Sequence, residues 1–121
     1  MTCYPVIIPT LNRFSHFKAC VKSLSNCTYA PETELIIGLD FPPAEKYVDG
    51  WKKIKEYIPQ IDGFKNIEVF ERNENFGSAK NSQSLQDYAL SKYDAYIYTE
   101  DDNVFSPNFL DFINKRSEER R

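Results

Sequence analysis

Short apolar, β-branched runs alternate with helical stripes along the chain, and this alternation constrains the fold more than any other feature. The runs span 4–8, 35–39, 67–69 and 95–99, and each has the length of a buried strand. Between them, apolar residues recur three or four positions apart, as on one face of an α-helix. Strand–helix alternation predicts an α/β, Rossmann-like fold: a largely parallel sheet with helices on both faces.

Prolines and a cap signal mark where these elements begin and end. Pro9 is expected to close the first strand, and Pro59 the second helix. Ser106 followed by Pro107 reads as an N-cap and first helical residue, opening a short helix through Ile113. We expect one α/β domain over 1–114, followed by a solvated or frayed charged tail over 115–121.

Composition excludes several classes of function. With 41% apolar and 15% aromatic residues in 121, the chain is not of a disordered type, and a net charge of -3 gives no basis for nucleic-acid binding. No apolar run approaches the roughly 18 residues of a membrane span, and the N-terminus lacks a signal-peptide pattern. We therefore expect a cytoplasmic protein, in solution or peripheral at the inner face of the membrane.

Cysteine and histidine usage predicts neither a disulfide nor a zinc site. Cys20 and Cys27 fall in one predicted helix, about 10 Å apart along its axis, which is too far for a disulfide. Cys3 is the odd cysteine, and His16 is the only histidine, without a second ligand candidate beside it. We expect His16 to be an exposed or capping residue of the first helix.

Polar side chains follow every predicted strand, at the end where parallel sheets bind ligands. After the first, second and third strands come Thr10 to Arg13, Asp40 and the loop "NENFGSAKN" at 73–81. The fourth is followed by Glu100, Asp101 and Asp102. Because the carboxyl ends of parallel strands meet at one edge, these groups should form one polar rim.

The acid triplet on this rim indicates either a bound cation or a wet surface. At about 5 Å and an effective dielectric near 20, each adjacent pair repels by roughly 3 kcal/mol. Water and salt would relieve the repulsion in a solvated acidic turn. Mg²⁺ or Mn²⁺, sharing its shell with a diphosphate, would relieve it too. We favour the cation because the acids follow a buried strand on the expected binding rim.

Other rim residues have a ligand interpretation and a structural alternative. Asp40 could accept hydrogen bonds from a base N–H or a ribose hydroxyl, or it could simply be a turn residue before Phe41. Arg13, Arg72 and Lys80 could neutralise phosphate charge, although a lysine at a helix start is commonly solvated.

Four segments, in order, resemble the nucleotide-sugar-binding half of GT-A fold glycosyltransferases, in particular bacterial family-two-like members. They are "PVIIPTLNR", "ELIIGLD", "NENFGSAKN" and "YIYTEDDNVFSPNFLDFIN", and the last looks like the metal-binding D-x-D segment with its following helix. The resemblance covers nearly the whole chain.

This resemblance implies a glycosyltransferase that moves a sugar from a nucleotide-sugar, with UDP favoured, to an acceptor hydroxyl. The acceptor could be a saccharide, a lipid-linked molecule or a protein. Asp102 would bind Mn²⁺ or Mg²⁺, with Asp101 as second ligand, support or ribose contact. The implied nucleotide-sugar-binding residues are Pro9, Thr10, Arg13, Asp40, Lys80, Glu100 and Asp101.

The sequence departs from the family pattern in two places. The second strand ends "GLDFPP", where many members have paired aspartates. Family domains also continue for roughly another half, which carries the acceptor site and the general base. We therefore expect a truncated, donor-binding part, with an unassigned catalytic base beyond residue 121 and little or no transferase activity alone.

Two alternatives remain open from sequence. A receiver-type phosphoacceptor domain is also small and doubly wound, but its acids should be split between two strand ends, with a lysine after a later strand. A non-catalytic interaction module with an acidic rim is the other alternative.

Overall fold

The computed structural model describes residues 2–119, in which four strands form one sheet. The strands and α-helices are β1 Val6–Thr10, α1 Phe14–Ser25, β2 Glu34–Leu39, α2 Val48–Tyr57, β3 Asn66–Glu71, α3 Ser78–Lys92, β4 Ile97–Tyr98 and α4 Phe109–Glu119. Short 3₁₀ turns occupy Ala30–Glu32, Glu45–Tyr47 and Ile58–Gln60.

The sheet is parallel throughout, with the strand order β3-β2-β1-β4. Val6 pairs with Leu35 on one side and with Ile97 on the other, so the carboxyl ends of the strands reach one edge together. Just past that edge, the Asp40 amide donates to the Thr10 carbonyl at 3.0 Å. The predicted α/β sheet is confirmed.

Helices cover both faces because residues alternate along each strand. Val6 and Ile8 point into the larger core, with α1, α2 and α4, whereas Ile7 points into a smaller core against α3. α3 lies close to β2 because Gly38 has no side chain: a Cβ there would come within 2.6 Å of Asn81 Oδ1. These two cores hold the carboxyl edge of the sheet in place.

The expectation that Pro9 closes the first strand was wrong, since β1 runs from Val6 to Thr10. In β1 the carbonyls of Pro5 and Ile7 face β4, where they accept from Ile97 at 2.8 Å and Thr99 at 3.2 Å. Pro9 therefore faces the same side, beyond the end of β4. Its missing N–H breaks no ladder bond, which is the condition for proline in a strand.

The start of the last helix also differs from the prediction. Ser106 does not cap it: its hydroxyl donates to Asn108 Oδ1 at 2.8 Å, and α4 begins at Phe109. The helix continues through Glu119, anchored by the buried Asn114, which accepts from the Tyr4 amide at 3.1 Å. α4 thus includes most of the segment expected as a tail, and residues 120 and 121 lie outside the described residues.

Within residues 2–119, each helix is too short or too polar to cross a membrane. Cys20 and Cys27 are buried thiols of the larger core, and the described residues contain no disulfide.

Candidate functional site

A cavity of about 360 Å³ lies at the carboxyl edge of the sheet. Its walls come from the end of β1 and the loop after it (9–13), and from Asp40, Pro43 and Tyr47. The loop before α3, the first turn of α3, the last residue of β4 and the acids after it complete the lining. Six of the sequence-predicted site residues line it: Pro9, Thr10, Arg13, Asp40, Glu100 and Asp101. The structure therefore brings most of the predicted rim together.

The other two predicted residues lie at the margin. Asp102 contacts Arg13 and is exposed beside the cavity. The Lys80 ammonium lies 4.2 Å from the centre of the Phe76 ring. Neither side chain forms the cavity wall in this structure.

Asp101 is the buried member of the acid triplet. Its Oδ2 accepts from the Thr10 hydroxyl at 2.9 Å, and its Oδ1 accepts from Arg13 Nη2. The Asp101 side chain is only 6% exposed, whereas that of Asp102 is 38% exposed and lies 3.5 Å from Arg13 Nη1. One guanidinium therefore neutralises part of the charge of both carboxylates.

Asp40 joins the end of β2 to the loop before α3. Its Oδ1 accepts from the amides of Phe41 and Phe76, both at 2.8 Å, and its Oδ2 accepts from the Gly77 amide at 3.0 Å. Gly77 has φ +83°, which its lack of a side chain permits. The same loop is held by Asn75, whose amide donates to the Phe41 carbonyl at 2.7 Å. This carboxylate therefore shapes the cavity wall.

Arg72 lies behind that wall and does not line the cavity. Its Nε donates to Asn81 Oδ1 at 3.1 Å, and its guanidinium lies against the rings of Phe70 and Phe76. Burial lowers the pKa of Arg72, while the charge of Asp40 acts in the opposite direction. Asn81 in turn donates to the Gly38 carbonyl at 2.9 Å. These contacts fix the start of α3 on β2, so the phosphate role considered for Arg72 has no support here.

Cys20 lies beneath the acid triplet, with its Sγ 3.7 Å from the Glu100 carbonyl. Burial, and then the charge of Asp101, raises the pKa of the Cys20 thiol to about 12. The thiol therefore stays protonated at neutral pH, and Cys20 is a packing residue of the core, not a nucleophile.

The donor set suits a cation that is shared with a ligand. Within residues 2–119, no cluster of three His, Cys, Asp or Glu side chains could hold an ion alone. Mg²⁺ and Mn²⁺ are commonly held by one or two carboxylates together with phosphate oxygens and water. Asp102 is exposed enough to offer an oxygen, whereas both Asp101 oxygens are already engaged. The residues present therefore fit an ion that is shared with a ligand and with water.

Sequence reasoning missed Tyr47 as a cavity residue. It ends the 3₁₀ turn Glu45–Tyr47 and is only half-buried. A 3₁₀ turn has fewer residues per turn than an α-helix, so Tyr47 does not lie on the face of α2 that packs on the core. It lines the cavity with Pro43 and Leu11. The nearby Pro42-Pro43 pair was the available signal of a broken helix start.

Comparison with known proteins agrees with the fold. S. aureus TarS has a similar structure: TM-score 0.66 and 16% identity, over 98% of this chain and 20% of TarS. TarS 1–349 in complex with UDP-GlcNAc matches at TM-score 0.65 and 17% identity, over 98% of this chain and 32% of that one. The mannosyltransferase PcManGT from Pyrobaculum calidifontis, in complex with GDP-Man and Mn²⁺, matches at TM-score 0.54 and 17% identity, over 85% and 28%.

These likenesses define a GT-A type of α/β fold, as the sequence predicted. The model of the family "Glycosyl transferase family 2" matches residues 6–117, so the chain belongs to that family. No protein of curated function matches the chain significantly. The chain spans 20% to 33% of the length of the TarS structures it matches. Family membership favours the glycosyltransferase interpretation over the receiver and interaction alternatives.

Proposed function

We propose that this domain binds the nucleotide-sugar donor of a metal-dependent glycosyltransferase, with a UDP-sugar as the first candidate. The observation that carries the proposal is the convergence of Asp40, Thr10, Arg13 and Asp101 on one cavity, with Asp102 at its margin. The chain's family supports the reaction class. The complexes of TarS with UDP and UDP-GlcNAc support the choice of ligand.

The nucleoside would occupy the less acidic end of the cavity. Tyr47 and Pro43 offer apolar surface there for a base. Asp40 Oδ2 receives one backbone N–H, so it retains an acceptor position for a base N–H or a ribose hydroxyl. In this proposal Asp40 both shapes the wall and contacts the nucleoside.

The diphosphate would lie toward the acid triplet. Asp102 would hold Mn²⁺ or Mg²⁺, and Asp101 would support it, while Arg13 and Lys80 would face the phosphate oxygens. A divalent cation held there would supply Lewis-acid stabilisation of the charge on the departing nucleoside diphosphate. PcManGT, whose complex contains GDP-Man and Mn²⁺, supports this choice of cofactor. Pro9 and Glu100 complete the wall on this side.

We assign none of these acids as the general base that deprotonates the acceptor hydroxyl. Asp40 and Asp101 are engaged by hydrogen bonds on both oxygens, and Asp102 is reserved for the cation. Like the general base, the acceptor stays unassigned, whether it is a saccharide, a lipid-linked molecule or a protein.

Thermal unfolding with UDP tests the proposal. UDP together with Mn²⁺ should raise Tm. UDP in the presence of EDTA should have little effect, and so should Mn²⁺ without UDP, because the diphosphate needs the cation beside three acids. Asp102→Ala should abolish the UDP shift, and Asp87→Ala, which removes an exposed acid from α3, should keep it. An equal shift in Asp102→Ala would contradict the metal assignment. No response to any nucleoside diphosphate would favour an interaction module.

A further inference from the structure

We infer that Arg13 is a built-in counter-ion of the acid pair and competes with the divalent cation for Asp102. The metal position rests on the proposed function. The inference adds that Arg13 changes partner when a cation arrives: it leaves Asp102 and becomes available to the donor diphosphate.

The backbone holds Arg13 at the point where this exchange would occur. It directly precedes α1, and its carbonyl accepts from the Phe17 amide at 2.9 Å. Only the side chain therefore needs to move. The residue also lines the cavity, so a turn of the guanidinium keeps it within the candidate site.

The two contacts of the guanidinium differ in strength. Nη2 donates to Asp101 Oδ1, on a carboxylate that is 6% exposed and is fixed again by the Thr10 hydroxyl at 2.9 Å. Nη1 lies 3.5 Å from Oδ2 of Asp102, whose side chain is 38% exposed. A long, hydrated ion pair is weak, whereas a charged hydrogen bond to a buried carboxylate is strong. The Asp102 contact is the one that can be exchanged.

Charge repulsion makes the two occupants of Asp102 incompatible. A guanidinium and a divalent cation on one carboxylate lie within a few ångströms of each other and repel strongly. Arg13 Nη1 therefore turns away from Asp102 when a cation takes that carboxylate, while Nη2 keeps its bond to Asp101. The freed N–H groups then face the cavity, where a phosphate oxygen is a good acceptor for arginine.

Binding of Mn²⁺ alone, followed by the electron paramagnetic resonance signal of the free ion, tests the competition. Arg13→Gln should bind Mn²⁺ at least about threefold more tightly than the unmodified protein, since an exposed ion pair of ordinary strength is removed. Arg13→Lys keeps the charge and should stay closer to the unmodified protein. Asp102→Asn should abolish the gain when combined with Arg13→Gln.

Arg116→Gln is the matched control, because it makes the same charge change on α4. Arg116 shares a separate surface pocket with Tyr4 and Ala95, which precede β1 and β4 at the opposite edge of the sheet. The Arg116→Gln variant should have nearly the same Mn²⁺ affinity as the unmodified protein. Unchanged or weaker Mn²⁺ binding in a folded Arg13→Gln variant overturns the inference, and so does the absence of Mn²⁺ binding by both proteins.

A UDP titration at saturating Mn²⁺ separates this inference from the proposed function. There Arg13→Gln should weaken UDP binding, the opposite sign to its effect on Mn²⁺ alone, whereas simple misfolding would weaken both. If the unmodified protein binds no UDP with Mn²⁺, the proposed function fails. The titration with Mn²⁺ alone still decides whether Arg13 and the cation compete.

Discussion

At the residue scale, the carboxylate of Asp40 connects two segments of the cavity wall. It is almost fully buried, and it accepts hydrogen bonds from three backbone N–H groups, those of Phe41, Phe76 and Gly77. A buried carboxylate needs such partners, and the amides need an acceptor. A carboxylate or an amide left without its hydrogen-bond partner here would lower the stability of the fold. Asp40 is therefore a structural residue, whatever part it takes in ligand binding.

Removing the Asp40 carboxylate should destabilise the domain. We expect Asp40→Ala to lower the free energy of unfolding by about 3 kcal/mol, because three backbone amides lose their acceptor. Asp40→Asn should cost roughly half as much, since its amide nitrogen can oppose only the Gly77 N–H while its oxygen keeps the other two. Urea unfolding measures both. The control, Asp49→Asn, alters an exposed side chain and should stay within about 0.5 kcal/mol. A loss below about 1 kcal/mol in Asp40→Ala would contradict this account.

At the element scale, the position of α2 against the β1–α1 loop shapes the cavity. Gly50, in the first turn of α2, leaves room for the backbone of Asn12: a Cβ there would lie 2.9 Å from the Asn12 carbonyl carbon and nearer still to its oxygen. Trp51 packs edge-on against Phe41, with ring centres 5.5 Å apart. The start of α2, the β1–α1 loop and the end of β2 thus form one packed unit around the cavity.

Gly50→Ala should reverse the usual effect of alanine in a helix. In an open helix this change stabilises by about 1 kcal/mol. Here the clash with a backbone carbonyl should instead destabilise by about 1–3 kcal/mol. It should also weaken UDP binding with Mn²⁺, because the displaced Asn12 lines the cavity.

Urea unfolding and UDP titration of one preparation measure the two effects of Gly50→Ala together. Lys53→Ala, at an exposed position of the same helix, is the control and should change neither appreciably. A Gly50→Ala variant more stable than the unmodified protein would show that the loop moves freely away from α2.

At the scale of the whole molecule, the parallel register turns scattered polar residues into one site. Thr10 pairs with Leu39 at the ends of β1 and β2, so the residues that follow emerge side by side. β4 ends two residues before the acids, on the other side of β1. The cores on both faces fix these strand ends relative to one another. The parallel register therefore brings the residues of the proposed donor site together, and none of them is assigned to activate an acceptor.

We expect residues 1–121 to bind UDP-GlcNAc with Mn²⁺ but to release no UDP above the protein-free rate when simple saccharides are supplied. The reason is that the residues proposed to bind donor and cation converge here, while no acid among them is assigned as the general base. A coupled assay for UDP release measures this, alongside a binding titration on the same sample. Mn²⁺-dependent release that is lost in Asp102→Ala would refute the expectation.

The sequence by itself determined the element order, the parallel sheet and the edge where the site lies. Each of these depends on short-range patterns: Ile7 and Ile8 alternate between faces, and Phe17, Val21 and Leu24 repeat at helical spacing. The rule that parallel strands bind at their carboxyl ends then placed Thr10, Asp40 and Asp101 on one rim.

Only the tertiary structure decided what those side chains contact. Arg13 meets Asp101 across 88 positions of chain, and Asp40 meets Phe76 across 36, so no local pattern specifies either pair. The length of β1 past Pro9 likewise depends on where its neighbour β4 ends. Periodicity is a property of neighbouring residues, whereas the partners of a charge are set by packing between distant segments.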